Sequence, residues 1–462
     1  VALAVLGSVV AAAFPDPGAA PAPGPSDGVP VPPGDSYSSS AFCAAATGGA
    51  AASTIFLTNA TDRVVTGTMT SVAPTTGSGG AAVVRRSVAV PARGGAAVNP
   101  SVGLPAGSTA ASLVFDGGGV VAREVVSGPG GWSTAPCTSQ ISPQWDFAGG
   151  STVSGNDLAL ALFDPSAAES VVNVSFLTPS GVVSPQPYQG LVVAPGGFLV
   201  ENVGAYVQNA TDIATLVTAQ SGALVSSEFQ QVVSVSPGGM ALWLGSPALS
   251  TVWRFAQTTT QPQGDVLFHL GNPGPASVVA TLSVGLTSGT VVPRRVTIPA
   301  QSVLAFSASG AAGLPSQVPF SLTITSSAPV IVGRTVRAPG GAPAPGWGAS
   351  SATVAEATHW LVPAPGVPTV PGTAGATVKT LAVADPGPGP ARVVVATLGS
   401  TRPVTAFTVG AGELVVLGPR LVGGLSALTV SSSQPVAVEE DDGPSGAPGV
   451  VSSTGFPFAA GP

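Results

Sequence analysis

Repetition is the feature that most constrains this chain. Four stretches open with a short apolar strand that ends in an Asn or Asp turn, at residues 54–59, 158–164, 266–272 and 381–385. The turn residues are Asn59, Asp164, Asn272 and Asp385, so the unit recurs about every 105 residues. A β-branched strand follows in each copy (64–69, 171–177, 278–284, 393–398). Next comes a strand, a turn and a strand around Val90-Pro91, Ala194-Pro195, Ile298-Pro299 and Val409-Gly410. A last pair of strands closes each copy: 112–115 with 120–126, 214–218 with 223–229, 320–325 with 330–336, and 427–430 with 436–440. Val, Thr, Ile and Phe alternating with Ser, Ala and Gly suit a half-buried pleated surface. The 61 Gly and 47 Pro punctuate the chain too often for long helices.

Six or seven strands per copy is the strand density of an immunoglobulin-like sandwich. The expected fold is therefore all-β, four tandem immunoglobulin-like sandwiches at 41–140, 141–248, 249–355 and 356–446, with 447–462 as a C-terminal tail. A β-propeller is the alternative, but its blades need only ~40–50 residues each. Each copy holds enough apolar strands to bury its own core, which predicts an open chain of sandwiches rather than a closed ring.

The six tryptophans mark the seams between copies, two per seam: Trp132 and Trp145, Trp243 and Trp253, Trp347 and Trp360. The second of each pair opens the next copy, with Phe147 and Phe255 two residues on, and is expected to be buried. The first copy lacks such a Trp and has Phe42-Cys43 there instead. Cys43 and Cys137 bracket that copy, and a bridge between them would substitute for the missing seam packing. Glu124, Glu228, Arg334 and Glu440 occupy equivalent late-strand positions. An ionisable group recurring there is expected to order the seam beside the tryptophans, a shared ligand site being the other reading.

Charged residues make up 8% of the chain, against roughly 25% in average soluble proteins. A net charge of −7 without any basic stripe argues against nucleic acid as a partner. Arg far outnumbers Lys, and Ala, Gly, Val and Pro abound, which suggests a GC-rich bacterial genome. Residues 1–14 are apolar and uncharged, the pattern of the end of a signal peptide or membrane anchor, with residues 11–13 as a candidate cleavage site. Residues 16–40 are rich in Pro, Gly and Ser and read as a tether. The sandwiches are thus expected outside the cell or in its envelope, touching the membrane only through that anchor. Export also favours the disulfide.

No chemical motif has the context it needs. Gly24-Pro-Ser-Asp-Gly28 matches a nucleophile elbow by letter but lies in the tether, without a strand before or a helix after it. His269 lies on an apolar strand, where a histidine is usually a hydrogen-bonded structural residue; a general base would need a nucleophile within reach. His359 stands beside Trp360. Gly77-Ser-Gly-Gly80 reads as a flexible hairpin, not a phosphate cradle. Glu439-Glu-Asp-Asp442, the densest charge cluster, reads as a solvated strand end, Ca²⁺ binding being the alternative. The sequons at Asn59, Asn173 and Asn209 read as chance. Neither enzymatic activity, nor a cofactor, nor a metal site is expected.

The composite unit is Trp-x-Phe-x-x-Gly, Asn/Asp-Pro, a Val-rich strand, Val-Pro, then Pro-Val-x-x-x-Glu/Arg. It is carried by Trp145, Phe147, Gly150, Asp164-Pro165 and Glu228, and again by Trp253, Phe255, Asn272-Pro273, Ile298-Pro299, Pro329-Val330 and Arg334. Over residues 41–442 the chain resembles an uncharacterised actinobacterial family of secreted or membrane-anchored β-repeat proteins of unknown function. That resemblance implies export and repetition. The expected function is a non-catalytic scaffold or interaction module of the cell envelope, partnered by a cell-wall polysaccharide or another envelope protein. The alternative is a carbohydrate-binding protein that stacks sugars on seam tryptophans such as Trp243 or Trp347.

Overall fold

A computed structural model describes residues 29–458, apart from 48–50, 76–80, 129, 261–262, 290, 309–313, 316, 341, 343–344, 365–376, 423, 425 and 445–450. Residues 1–14 and the elbow-like Gly24–Gly28, like Gly77–Gly80, lie outside the described residues.

The turn signature has a local cause. Asn59, Asp164, Asn272 and Asp385 are almost fully buried. Each accepts, through a side-chain oxygen, the backbone N–H two residues on: Thr61 at 2.9 Å, Ser166 at 2.8 Å, Gly274 at 3.0 Å and Gly387 at 2.8 Å. This is an Asx turn, which Asn and Asp make because their short polar side chains imitate a backbone carbonyl. The Asn copies also have an amide to give: Asn272 Nδ2 donates to Ala276 O at 2.8 Å and Pro299 O at 2.9 Å. The first turn is thereby tied to the later Ile298-Pro299 turn.

Each quarter of the chain builds two antiparallel sheets facing one another. In the first, the flanking sheet runs Ser39–Ala45, Thr109–Phe115, Val65–Val72, Val83–Val90, and the axial sheet Gly95–Val98, Ala52–Asn59, Val120–Gly128, Gly131–Pro136. The axial order recurs as Phe198–Asn202, Asn156–Phe163, Val225–Val232, Gly239–Leu244, and as Ser302–Ser307, Asp265–Asn272, Pro319–Ala338, Gly346–Ser351. In the fourth quarter it is Leu414–Leu417, Thr377–Ala384, Leu428–Pro444, Val451–Thr454. The chain is thus all-β with several antiparallel sheets, none closed into a barrel.

Two boundaries move. Val451–Thr454, expected in the tail, pairs with Glu439–Asp442 as the last strand of the fourth axial sheet. The end of the expected tether is docked: Val31 is buried and donates to Pro457 O at 2.7 Å, while Gly119 N–H donates to Pro32 O at 2.9 Å. A Pro-rich composition shows that a segment is not a regular element, but it does not show that the segment is loose.

The open chain of sandwiches is overturned. Gly131–Pro136 touches Gly239–Leu244, which touches Gly346–Ser351, which touches Val451–Thr454, which returns to Gly131–Pro136. The four quarters close into a ring around these strands, enclosing a cavity of about 80 Å³ on the axis lined by Thr134, Trp243, Ser350 and Ser453 among others. Every seam uses the same register position. Arg123, Ser227, Gly333 and Glu439 sit one residue before the recurring ionisable group, and each faces a neighbouring quarter. Ser227 Oγ donates to Ala44 O. A Cβ on Gly333 would collide with Ala148 O. Glu439 Oε2 accepts Gln257 N–H at 3.1 Å. Arg123 closes the ring by pairing with Glu440 across 317 positions of sequence.

Candidate functional site

All six tryptophans are buried, from 0% exposure at Trp253 and Trp360 to 9% at Trp347. Trp145, Trp253 and Trp360 are true equivalents: Nε1 donates to Leu224 O at 2.7 Å, Val330 O at 2.9 Å and Val436 O at 3.1 Å, each carbonyl four residues before the ionisable position. The first members of the seam pairs are not all equivalent. Trp132 lies opposite Ser127 and Trp347 opposite Arg337, three residues past that position, whereas Trp243 lies opposite Glu228 itself. At 3% and 9% exposure, Trp243 and Trp347 do not stand out from the surface as a stacking platform.

The disulfide is formed, with Cys43 and Cys137 2% exposed and their Cα atoms 4.6 Å apart. Its place differs from the expected one by two residues. Phe42, Asp146 and Arg254 make the same two-way backbone bridge, to Thr138, Ser246 and Thr353. Ala41 therefore stands where the other copies have Trp145 and Trp253, and Cys43 stands where they have Phe147 and Phe255. In the second quarter Phe147 packs on Gly245, where any Cβ would strike its ring. In the first, the Cys43–Cys137 bond occupies the corresponding place.

The four recurring ionisable residues do not form a common site. Glu124 faces its own quarter, accepts a hydrogen bond from Ser53 Oγ at 2.5 Å, and is pushed up to about 8 by burial, which that hydrogen bond only partly offsets. Glu228 does the same with Thr215 Oγ1 at 2.6 Å, and burial again pushes it up to about 8. Arg334 and Glu440 do reach across seams. Arg334 donates to Glu439 at 2.6 Å and lies over the Phe255 ring, 4.7 Å from its centroid. Glu440 takes Arg123 from the first quarter and Lys379, the single lysine, at 3.1 Å.

The acidic run 439–442 is therefore not a solvated strand end. Glu439, Glu440 and Asp442 are buried, and Arg123, Arg334 and Lys379 converge on them. Burial alone would push Glu440 up, but the charges of Arg123 and Lys379 hold it below the usual carboxylate range. Asp442 is pushed up to about 7 by burial and by the Glu440 charge. Arg123, Arg334 and Lys379 already supply positive charge to these carboxylates. The Glu124 carboxylate also lies near both sulfurs of the disulfide, but sulfurs bonded to each other are not thiolates and make poor metal ligands.

His269 is 2% exposed and has partners that the sequence did not indicate. Its Nδ1 lies 3.2 Å from Asp212 Oδ1 in the second quarter, and its Nε2 lies 2.9 Å from Thr335 Oγ1. Burial works to raise Asp212, yet the neighbouring His269 imidazole and the Thr211 hydroxyl bring it below its ordinary value. His269 and Thr335 line a cavity of about 180 Å³ in the seam between the second and third quarters, together with Asn156, Asp265, Arg337 and Trp347. Thr335 is one residue past Arg334 and Asp212 lies in a loop, so neither position stands out in the repeat. His359 is exposed, and its ring Nδ1 lies 3.0 Å from Thr358 Oγ1. Of the three sequons, Asn59 is unavailable to a glycan because its amide donates to Arg63 O at 2.7 Å inside the fold.

Comparison with known proteins adds little on function. A family model described as "Family of unknown function (DUF5719)" matches residues 105–311. No curated protein matches the chain. Among solved structures, Thermotoga maritima 1070 is 16% identical over 19% of this chain and 79% of that chain, with a TM-score of 0.18. The tetra-tandem repeat in the extending region of a large adhesion protein is 14% identical over 87% of this chain and 93% of that chain, with a TM-score of 0.09. Among the described residues no helix is long and apolar enough to cross a membrane.

Proposed function

We propose that this chain is an exported scaffold or interaction module of the cell envelope, built of four immunoglobulin-like sandwiches and held outside the membrane by its N-terminal apolar segment. The observation that carries this reading is how the repeat spends its recurring side chains. The second-member tryptophans and the Asn and Asp turns go into holding each quarter's own fold, and the 439–442 charge cluster into joining the quarters. The formed disulfide is consistent with an oxidising compartment, and the likeness to exported actinobacterial repeat proteins points the same way. A cell-wall polysaccharide or another envelope protein is the proposed partner.

Cell fractionation tests the proposal. In the native host the protein should partition with the envelope, be cleaved by protease added to intact cells, and carry no thiol that reacts before reduction. Recovery in the cytosol, protease-protected and with Cys43 and Cys137 alkylated, would refute export and with it the scaffold reading.

A further inference from the structure

Asp212 Oδ1 lies 3.2 Å from His269 Nδ1, and His269 Nε2 shares a hydrogen bond of 2.9 Å with Thr335 Oγ1, so that carboxylate, imidazole and hydroxyl stand in series only where two quarters meet. These separations match a nucleophile, a base and the group that orients the base. A histidine kept only for structure would make the same contacts, and two further observations set this one apart. First, His269 and Thr335 line the seam cavity of about 180 Å³ instead of being sealed in the core. Arg337 lines the same cavity half-buried, its guanidinium with neither a hydrogen bond nor an ionic partner among the described residues. Second, the strand opposite is bulged at this point: pairing shifts between Ile213 and Ala214, which leaves Gly149 unpaired with φ 118°. A Cβ on Gly149 would sit 3.3 Å from the Thr335 methyl and 3.4 Å from the imidazole. Bare backbone therefore approaches both groups, as bulges beside reactive sites often arrange.

We propose that Thr335, His269 and Asp212 form an acyl-transfer relay that hydrolyses small carboxylic esters in this cavity. Thr335 Oγ attacks the ester carbonyl carbon while its proton passes to His269 Nε2. The carbon–oxygen bond to the alcohol then breaks, and the alcohol departs with that proton, leaving the acyl group esterified to Thr335. Water, giving a proton to His269, attacks the acyl carbon. The bond to Thr335 Oγ breaks, His269 returns the proton to it, and the carboxylic acid is released. Asp212 holds Nδ1 as the protonated nitrogen and faces the imidazolium when it forms. Arg337 supplies positive charge to the cavity in which the oxyanion develops. This activity goes beyond the scaffold reading and does not depend on it.

The full-length protein would be treated with p-nitrophenyl acetate and followed by p-nitrophenolate release and by peptide mass mapping. The expected result is one acetyl per chain on the peptide carrying Thr335. Thr335→Ser should keep the label, while Thr335→Val and His269→Gln abolish it at an unchanged melting midpoint. Asp212→Asn should slow labelling on the order of 10²-fold or more. Folded wild-type protein without acetyl on Thr335 would overturn the relay, and so would Thr335 labelling that continues at the same rate in His269→Gln. If either replacement fails to fold, the wild-type map and Thr335→Ser decide the matter.

Discussion

An indole N–H committed to a buried carbonyl makes Trp145, Trp253 and Trp360 more than apolar filler. Trp253→Phe would keep most of the packing but strand Val330 O, whereas Trp253→Ala loses both. The alanine variant should be destabilised by ~3–5 kcal/mol in denaturant melts, as aromatic core truncations are. Glu124 and Glu228 predict a pH effect of definite sign. Both are raised from 4.5 to about 8 on folding, so the folded chain holds more protons than the unfolded one between those values. Their contribution to stability is full below 4.5 and is lost as pH rises through about 8. The double variant Glu124→Gln/Glu228→Gln should flatten this decline in urea midpoints taken from pH 5 to 9. An unchanged slope would place the two carboxyls in contact with water. Residue type was legible here, but orientation only half so. Comparing copies picks out the column Glu124, Glu228, Arg334, Glu440 because it looks ionisable. The position that faces a neighbouring quarter in every copy is one residue earlier, at Arg123, Ser227, Gly333 and Glu439. Arg, Ser, Gly and Glu share no chemistry, so that column looks like noise until the period of two in a strand turns it outward.

Strands and turns were the most readable level, because alternation and Asx turns are local. What failed was anything decided by a partner strand. Cys43 aligns with Phe147 rather than Trp145 because the bridge to Thr138 sets the register, and no local pattern encodes that bridge. The disulfide closes a separation of 94 residues. Replacing both cysteines with Ala should cost about 4–5 kcal/mol on the chain-entropy estimate, measured as the shift in denaturant midpoint of the oxidised protein. Gly333 offers a sharper test. A methyl there meets the Ala148 carbonyl of the adjoining quarter, and backbone cannot swing aside as a side chain can. Gly333→Ala should destabilise by about 1–3 kcal/mol, the usual cost of overpacking. Hydrogen exchange should quicken at Gln144–Gly150 in that variant and stay unchanged at Gly131–Pro136. Equal protection at both strands would mean that the second and third quarters do not meet through Gly333.

Closure into a ring could not be read from the sequence, since the contact that completes it joins Arg123 to Glu440. Each quarter does have an apolar core of its own, as expected. Yet Phe163, Phe229, Met240 and Leu242 form a second cluster with Ala44–Ala46 of the preceding quarter, so the apolar content serves seams as well as cores. Arg123→Met should leave Glu440 and Asp442 undercompensated in a buried site. The expected loss is about 3–5 kcal/mol, with partial recovery in Arg123→Met/Glu440→Gln measured by the same thermal melts. A single variant as stable as wild type would remove ion pairing from ring closure.

Val31 donates to Pro457 and bridges to Phe458, so the polypeptide enters and leaves the ring at one point. Sandwiches strung in series pass tension along from one to the next and yield one by one, lengthening the molecule in steps. Here a pull applied at residues 31 and 458 is borne first by the short pairing between them. Until that contact parts, the four sandwiches carry none of the load and the distance spanned does not grow. Mechanically, the chain behaves as a clasp rather than a cable.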